Sequence, residues 1–396
     1  MEKYRSSLES SSKIWTRDFI LIAIINMAIF TGFNMISIAI PLYVTSLGGA
    51  DFLTGLVTTF ATASALIIRA FTGILLDKFG FKAILISGIG IMAASTIAYA
   101  VFPIVGVILA IRLLHGIGWG LSSTSTSTIA SDVIPKKRFA EGIGYFALTS
   151  SLAVAVAPAL AIAIVQNIGM LPVIIIASGC TILAIFLSFY EHYPKQTKVA
   201  HKQKFSFTNM FDRKALLPSG LMLLVNCAFG SVTTFIALHG QAQGVQNISL
   251  YFTVYAIVTI ISRPVVGKVI DKVGFYLPSI LSLLGVVMTL IIISFSTNIT
   301  MFCLAGIFGG LGIGTIMGTL QTMAVSSVST ERRGVATSTF LFGVDAGIAL
   351  GAVISGALAG AFGYSIMFLL MSVFPAIALL IVLLFGKTKI ADYSTK

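Results

Sequence analysis

Residues 20–44, 85–102 and 367–385 contain no charged side chain at all. A helix needs about 20 predominantly apolar residues to cross the hydrocarbon of a bilayer, and each stretch meets or approaches that length. Within lipid, every backbone N–H and C=O must be satisfied inside the protein, which leaves helices or a closed barrel. Barrel strands would alternate apolar and polar residues over about ten positions, and these runs do not alternate. The pattern therefore predicts an all-α integral membrane protein. Composition agrees, with 57% hydrophobic and 10% charged residues, against about 25% charged in soluble domains.

Charged and turn-forming breaks place twelve spans near 19–44, 52–76, 82–102, 104–130, 140–166, 170–190, 215–239, 248–270, 277–297, 299–327, 334–360 and 364–386. The first is too long for a signal-peptide core and lacks a small-residue cleavage site, so it is retained as a helix. The net charge of +12 is unevenly spread. Lys13 and Arg17 precede the first span, Lys78 and Lys82 follow the second, and Lys136, Lys137 and Arg138 follow the fourth. Further basic residues fill segment 191–214, and Arg332, Arg333, Lys387, Lys389 and Lys396 continue the series. The opposite loops, 45–51, 167–169, 240–247 and 361–363, have neither Lys nor Arg. This positive-inside asymmetry predicts that both termini and the 191–214 linker lie in the cytoplasm. The basic excess orients the chain, and no nucleic-acid partner is expected. Cys180, Cys227 and Cys303 fall inside apolar spans with no disulfide or metal spacing.

The chain also repeats itself. RAFTGILLDKFG at 69–80 returns as RPVVGKVIDKVG at 263–274, an offset of 263 − 69 = 194. The same offset carries Gly116, Gly118 and Gly120 onto Gly310, Gly312 and Gly314, and Arg138 onto Arg332. An internal duplication follows: a six-helix bundle in 1–190, a cytoplasmic linker in 191–214, and a second six-helix bundle in 215–396. Two such repeats around a site near the midplane are a transporter arrangement.

Three motifs carry a resemblance to a known family. GILLDKFGFKAIL (73–85) resembles the loop signature between helices 2 and 3 of the major facilitator superfamily, and GKVIDKVGFY (267–276) resembles its fainter copy between helices 8 and 9. LAIRLLHGIGWG (109–120) is similar to the helix 4 signature Arg-x-x-Gln-Gly-x-Gly, with His115 in place of Gln. The resemblance covers essentially the whole chain and leans towards bacterial drug and metabolite efflux members. It implies twelve helices in two pseudosymmetric bundles, with helices 1, 4, 7 and 10 lining a cavity. It further implies a gating set of Arg69, Gly73, Asp77, Lys82, Asp132, Gly267 and Asp271, with Asp77 against the start of helix 11 and Lys82 near Asp132. The same charges and glycines could instead fix topology and the turn alone. One departure concerns the fifth helix, where AVAVAPALAIAI (153–164) keeps Pro158 but lacks the paired glycines of the antiporter signature.

Ionisable residues within a span are functional candidates. Asp345 lies about 18 Å along span 11 at 1.5 Å per residue, where it could carry a proton, balance a cation or bond neighbouring helices. Arg112, His115, Trp119, Ser122 and Thr126 share one helical face and read as cavity lining. His115 titrates near neutral pH when unperturbed and could relay protons with Arg112 and Asp345, or could be neutral and bonded to a carbonyl. Asn26, Phe30 and Asn34 on span 1, Asn226 and Thr233 on span 7, and Gln321 on span 10 complete the substrate-binding candidates. Each could equally bond helix to helix.

Neither a Gly-x-x-x-x-Gly-Lys-Ser/Thr phosphate loop nor a His-Glu-x-x-His metal site is present. GIGWG lies inside an apolar span rather than after a strand, so it is no dinucleotide fingerprint. The expectation is a proton-coupled secondary transporter of the cytoplasmic (inner) membrane, exporting a small drug-like or metabolite solute by alternating access. It would need no cofactor or metal, act as a monomer and not be an enzyme; its partners are solute, protons and lipid. A proton-coupled importer or uniporter is the alternative, and a non-transporting receptor or lipid-modifying enzyme a remote one.

Overall fold

A computed structural model describes residues 13–135, 138–193, 212–328 and 333–389. Lys136, Lys137, Arg332, the linker from 194 to 211 and the tail from 390 lie outside them. The described residues are helical throughout, apart from short connections. The helices are α1 (Arg17–Ser46), α2 (Asp51–Phe79), α3 (Phe81–Val101), α4 (Val105–Val133), α5 (Phe139–Asn167), α6 (Met170–Ser188), α7 (Leu216–Ala242), α8 (Ser249–Val273), α9 (Tyr276–Phe295), α10 (Ile299–Ser326), α11 (Arg333–Met371) and α12 (Val373–Lys389).

Ten helical segments among the described residues are long and apolar enough to cross a membrane, and the 14-residue stretch Ser249–Ser262 is apolar but shorter. The last of the ten, Val335–Leu384, runs through 50 residues because α11 continues past the loop expected at 361–363. Gly363 interrupts it with φ 77°, so the helical axis breaks where the turn was read. Aliphatic side chains such as Ile67, Ile175 and Leu384 are more than 60% exposed. In water that would be costly; against lipid tails it is the expected outer surface.

Packing divides the chain into two compact units: Met1–Ile36 with Ser64–Ala200, and Ser37–Ala63 with His201–Lys396. The 194-residue offset reappears in the packing within each. In the first, a methyl group on Gly118 would come within 2.7 Å of the Gly88 carbonyl and 2.8 Å of the Met92 amide nitrogen, so α4 touches α3 backbone to backbone. In the second, a methyl on Gly312 would come within 2.9 Å of the Ser282 carbonyl and 2.5 Å of the Val286 nitrogen of α9. Ser282 and Val286 are Gly88 and Met92 shifted by 194. Gly120 likewise faces Ala65 of α2, and Gly314 faces Thr259 of α8, again 194 apart. Only a residue without Cβ admits such approach, which is how helices associate where lipid offers no hydrophobic drive. The two signature loops match as well: Gly80 and Gly274 turn the chain at φ 86° and 73°, conformations that glycine adopts without strain.

Candidate functional site

In the first unit the site is built on α4. Arg112 and His115 lie one turn apart, and both are buried, Arg112 to 1% exposure. The guanidinium Nη1 stands 3.2 Å from His115 Nδ1. Arginine can only donate, so Nδ1 accepts and the neutral ring carries its proton on Nε2. That Nε2 is buried with no hydrogen-bond partner among the described residues. Phe33 of α1 and Tyr99 of α3 press on the imidazole at centroid distances of 5.5 and 5.9 Å, and the Tyr99 hydroxyl lies beside Arg112. One turn further along α4, Trp119 stacks on Phe33 at 4.0 Å and meets Phe30 edge-on at 4.5 Å. A fixed cation, an imidazole and four aromatic rings thus occupy one neighbourhood of three helices.

The neighbouring polar residues are committed to one another. The Asn26 amide donates to Thr149 and Ser150 of α5 at 2.9 and 2.8 Å, and its carbonyl accepts from Thr126 of α4 at 2.9 Å. Asn26 therefore ties α1, α4 and α5 together. Asn34 donates within its own helix to the Phe30 carbonyl. Ser122 turns towards α3, donating to Met92 Sδ at 3.2 Å and to the Gly118 carbonyl. Among the gating candidates, Arg69 donates to Ser123 at 3.3 Å, and the space a methyl would take at Gly73 is open. The Lys82 ammonium lies 5.4 Å from the centre of the Phe189 ring, and no ion pair joins it to the exposed Asp132. The surroundings of Asp77, Gly267 and Asp271 lie outside the described part of the structure.

In the second unit Asp345 is buried in α11, 8% exposed. Gly343, Gly347 and Gly351 lay α11 directly on α7, against Ser219, Leu223 and Cys227, with Asn226 beside Gly347. Asn226 donates to the Met222 carbonyl and Thr233 to that of Phe229, both within α7, and Gln321 is half-buried in α10. The same unit contains a seam the sequence did not announce. The Tyr364 hydroxyl donates to Asp51 Oδ1 at 2.7 Å, Thr59 to the Ala349 carbonyl at 2.8 Å and Thr234 to Thr58 at 3.1 Å. A Cβ on Gly55 would collide with the Ala352 carbonyl. Nearby, His239 contacts the Ile293 carbonyl through Nε2 at 3.0 Å, with Phe302, Tyr364 and Phe368 around the ring. Phe33 was within reach of sequence reasoning, one turn from Phe30 and two from Asn26. Tyr99, Asp51 and Tyr364 carry no local signal, because their partners are distant in the chain.

Apolar spanning helices, duplicated helix contacts and buried charges within the spans define a multi-pass integral membrane protein of the transporter class. A Major Facilitator Superfamily family model matches residues 22–277 and 243–394, and the chain belongs to that family. It is 25% identical over 365 residues to the staphylopine export protein of Staphylococcus aureus, covering 89% of this chain and 92% of that one. It is 26% identical over 378 residues to an uncharacterized MFS-type transporter of Burkholderia mallei, covering 89% of each. In fold it is similar to the nucleoside transporter NupG, with a TM-score of 0.74 at 13% identity over 94% of this chain and 100% of that one. It is likewise similar to a bacterial homologue of the human lysosomal transporter Spinster, with a TM-score of 0.76 at 17% identity over 95% and 97% of the two chains.

Proposed function

We propose that this transporter exports a small organic solute across the cytoplasmic membrane in exchange for protons. The observation that carries the reading is Asp345. It is the sole charged residue in the 50-residue apolar stretch Val335–Leu384, and it is buried. An ionised carboxylate at such depth is expensive, so a position of this kind is retained where charge is used. In this mechanism Asp345 takes up and releases the coupling proton, and Arg112 with His115 holds the charge balance on the other repeat. Phe30, Phe33 and Trp119 pack on one another here, and on opening they would offer flat apolar surface to an amphiphilic or zwitterionic solute.

Twelve crossings in two pseudosymmetric six-helix bundles would work by alternating access, with both termini and the linker in the cytoplasm. The 194-residue match between the α3–α4 and α9–α10 contacts supports that symmetry, and the placement of basic residues supports the orientation. Similarity to an export protein over nine-tenths of the chain favours outward transport. Staphylopine is therefore the first solute to test, followed by a panel of metabolites and drug-like cations. The experiment is solute efflux driven by an imposed pH gradient in sided vesicles, wild type against D345N. Loss of gradient-driven efflux with solute binding retained is expected; undiminished efflux would remove Asp345 from coupling. Counterflow without a gradient tests the direction.

A further inference from the structure

Glu191 ends the six-helix first half, three residues past α6 and immediately before the basic linker. A glutamate there would ordinarily stand in water. Instead it is 5% exposed, and neither Oε1 nor Oε2 has a hydrogen-bond partner among the described residues. Among the described residues, Arg17 and Asp18 at the start of α1 act on it electrostatically, His192 and Tyr193 adjoin it in its own segment, and Lys82 of α3 lines a neighbouring cleft with Tyr193. Asp18 is engaged by His192, Nδ1 to Oδ1 at 3.2 Å. Tyr193 donates to the Ser188 carbonyl at 2.6 Å, which caps α6 and fixes the segment. Tyr193 also packs on the core of the first unit and lines the cleft of about 700 Å³ with Phe79, Phe81 and Lys82.

Burial without donors, beside another carboxylate, favours the protonated form of a carboxyl. We propose that Glu191 is a proton-binding site outside the membrane, and that its ionisation disfavours the buried position, so that alkaline pH releases the first residues of the linker from α1. Burial raises its carboxyl to about 8, with a smaller push from Asp18 and an opposing pull from Arg17. The released segment would titrate at the ordinary value of 4.5. Below 4.5 both forms hold the proton and the buried position is fully stable. As pH rises from there towards 8 only the released form gives up its proton, and the buried-to-released ratio falls, by about tenfold per unit at most. Above 8 both are ionised and the ratio levels off. The window includes neutral pH, so a cytoplasmic pH change would reach the linker that joins the two halves. The cytoplasmic placement rests on the orientation proposed above, whereas proton binding does not.

The test uses the full-length protein in detergent, with Cys180, Cys227 and Cys303 replaced by alanine and a nitroxide on Y190C, an exposed neighbour. The immobile spectral component is expected to shrink as pH rises from 5 to 8 and then to hold steady. E191Q, an uncharged mimic of the protonated side chain, is expected to stay immobile from pH 5 to 9.5, as is E191L. A pH-independent spectrum in the parent protein, or the same transition in E191Q, overturns the proposal. Should the substituted proteins not be recovered folded, infrared titration of ¹³C-glutamate-labelled wild type decides. A protonated carboxyl band persisting to about pH 8 supports the site, and its disappearance near the ordinary value overturns it. None of these readouts depends on transport, so failure here leaves proton-coupled export standing, and the reverse holds too.

Discussion

The hydroxyl of Tyr364 donates to Oδ1 of Asp51 at 2.7 Å, joining the residue after the Gly363 break to the first residue of α2. The positive φ at Gly363 turns the chain so that the phenol, rather than another turn of α11, meets the start of α2. With Thr59 donating to the Ala349 carbonyl and Thr234 to Thr58, this hydrogen bond pins the start of α2 to α7 and α11. A hydrogen bond to a charged group contributes about 1.5–3 kcal/mol when well buried, and less at this half-exposed position. Y364F should loosen the seam without unfolding the helices. A cysteine at Thr59 should then react about fivefold faster with a membrane-impermeant maleimide in whole cells, and an unchanged rate would place the seam elsewhere in the cycle.

The duplicated glycines make a paired prediction. G118V and G312V each force side-chain atoms into the backbone of the neighbouring helix, where overpacking costs about 1–3 kcal/mol. The two variants should lose similar amounts of thermal stability in detergent. G90A, at a position where a methyl meets nothing within 4 Å, should lose none. Unequal losses at 118 and 312 would show that the two helix pairs are not equivalent in energy.

Asn26 makes three side-chain hydrogen bonds to two other helices, and interhelical bonds of this kind contribute about 0.6 kcal/mol each. N26A should therefore lower stability by about 1–2 kcal/mol while leaving the KM for solute close to wild type. A large rise in KM with an unchanged melting temperature would make Asn26 a contact for the solute instead.

His115 occupies the position where the family signature has glutamine, and it accepts from Arg112. H115Q keeps an acceptor and should retain transport within about twofold. H115L removes the acceptor and leaves a buried guanidinium short of a partner, a loss of about 1.5–3 kcal/mol; transport should fall by about tenfold or more. Equal transport by both variants would mean that Arg112 does not need this contact.

Much of the helical layout could be read from the chain because lipid imposes a length and an absence of charge that few other structures share. The internal repeat was legible for a related reason: glycine is the one residue that lets two backbones touch, so its spacing records the contact. The partners of Asn26 were not legible. Its helical face was clear, but Thr149 and Ser150 lie more than 120 positions away, and an amide looks the same in sequence whether it meets water, solute or a hydroxyl. Ser122 lies ten residues from Arg112, which at 3.6 residues per turn sets it about 80° round the helix, and it meets Met92 instead. Glu191 was the least visible. Within EHYPK it resembles any solvated linker charge, and its burial comes from the fold around it.

The Gly118 and Gly312 contacts join helices that follow one another directly, α3 to α4 and α9 to α10. Each of these tight pairings spans a short loop, so closing it carries little chain entropy. During synthesis each hairpin can lock as soon as its second helix emerges, without waiting for partners more distant in the chain. A valine at Gly118 or at Gly312 should therefore disturb the assembly of its own hairpin first.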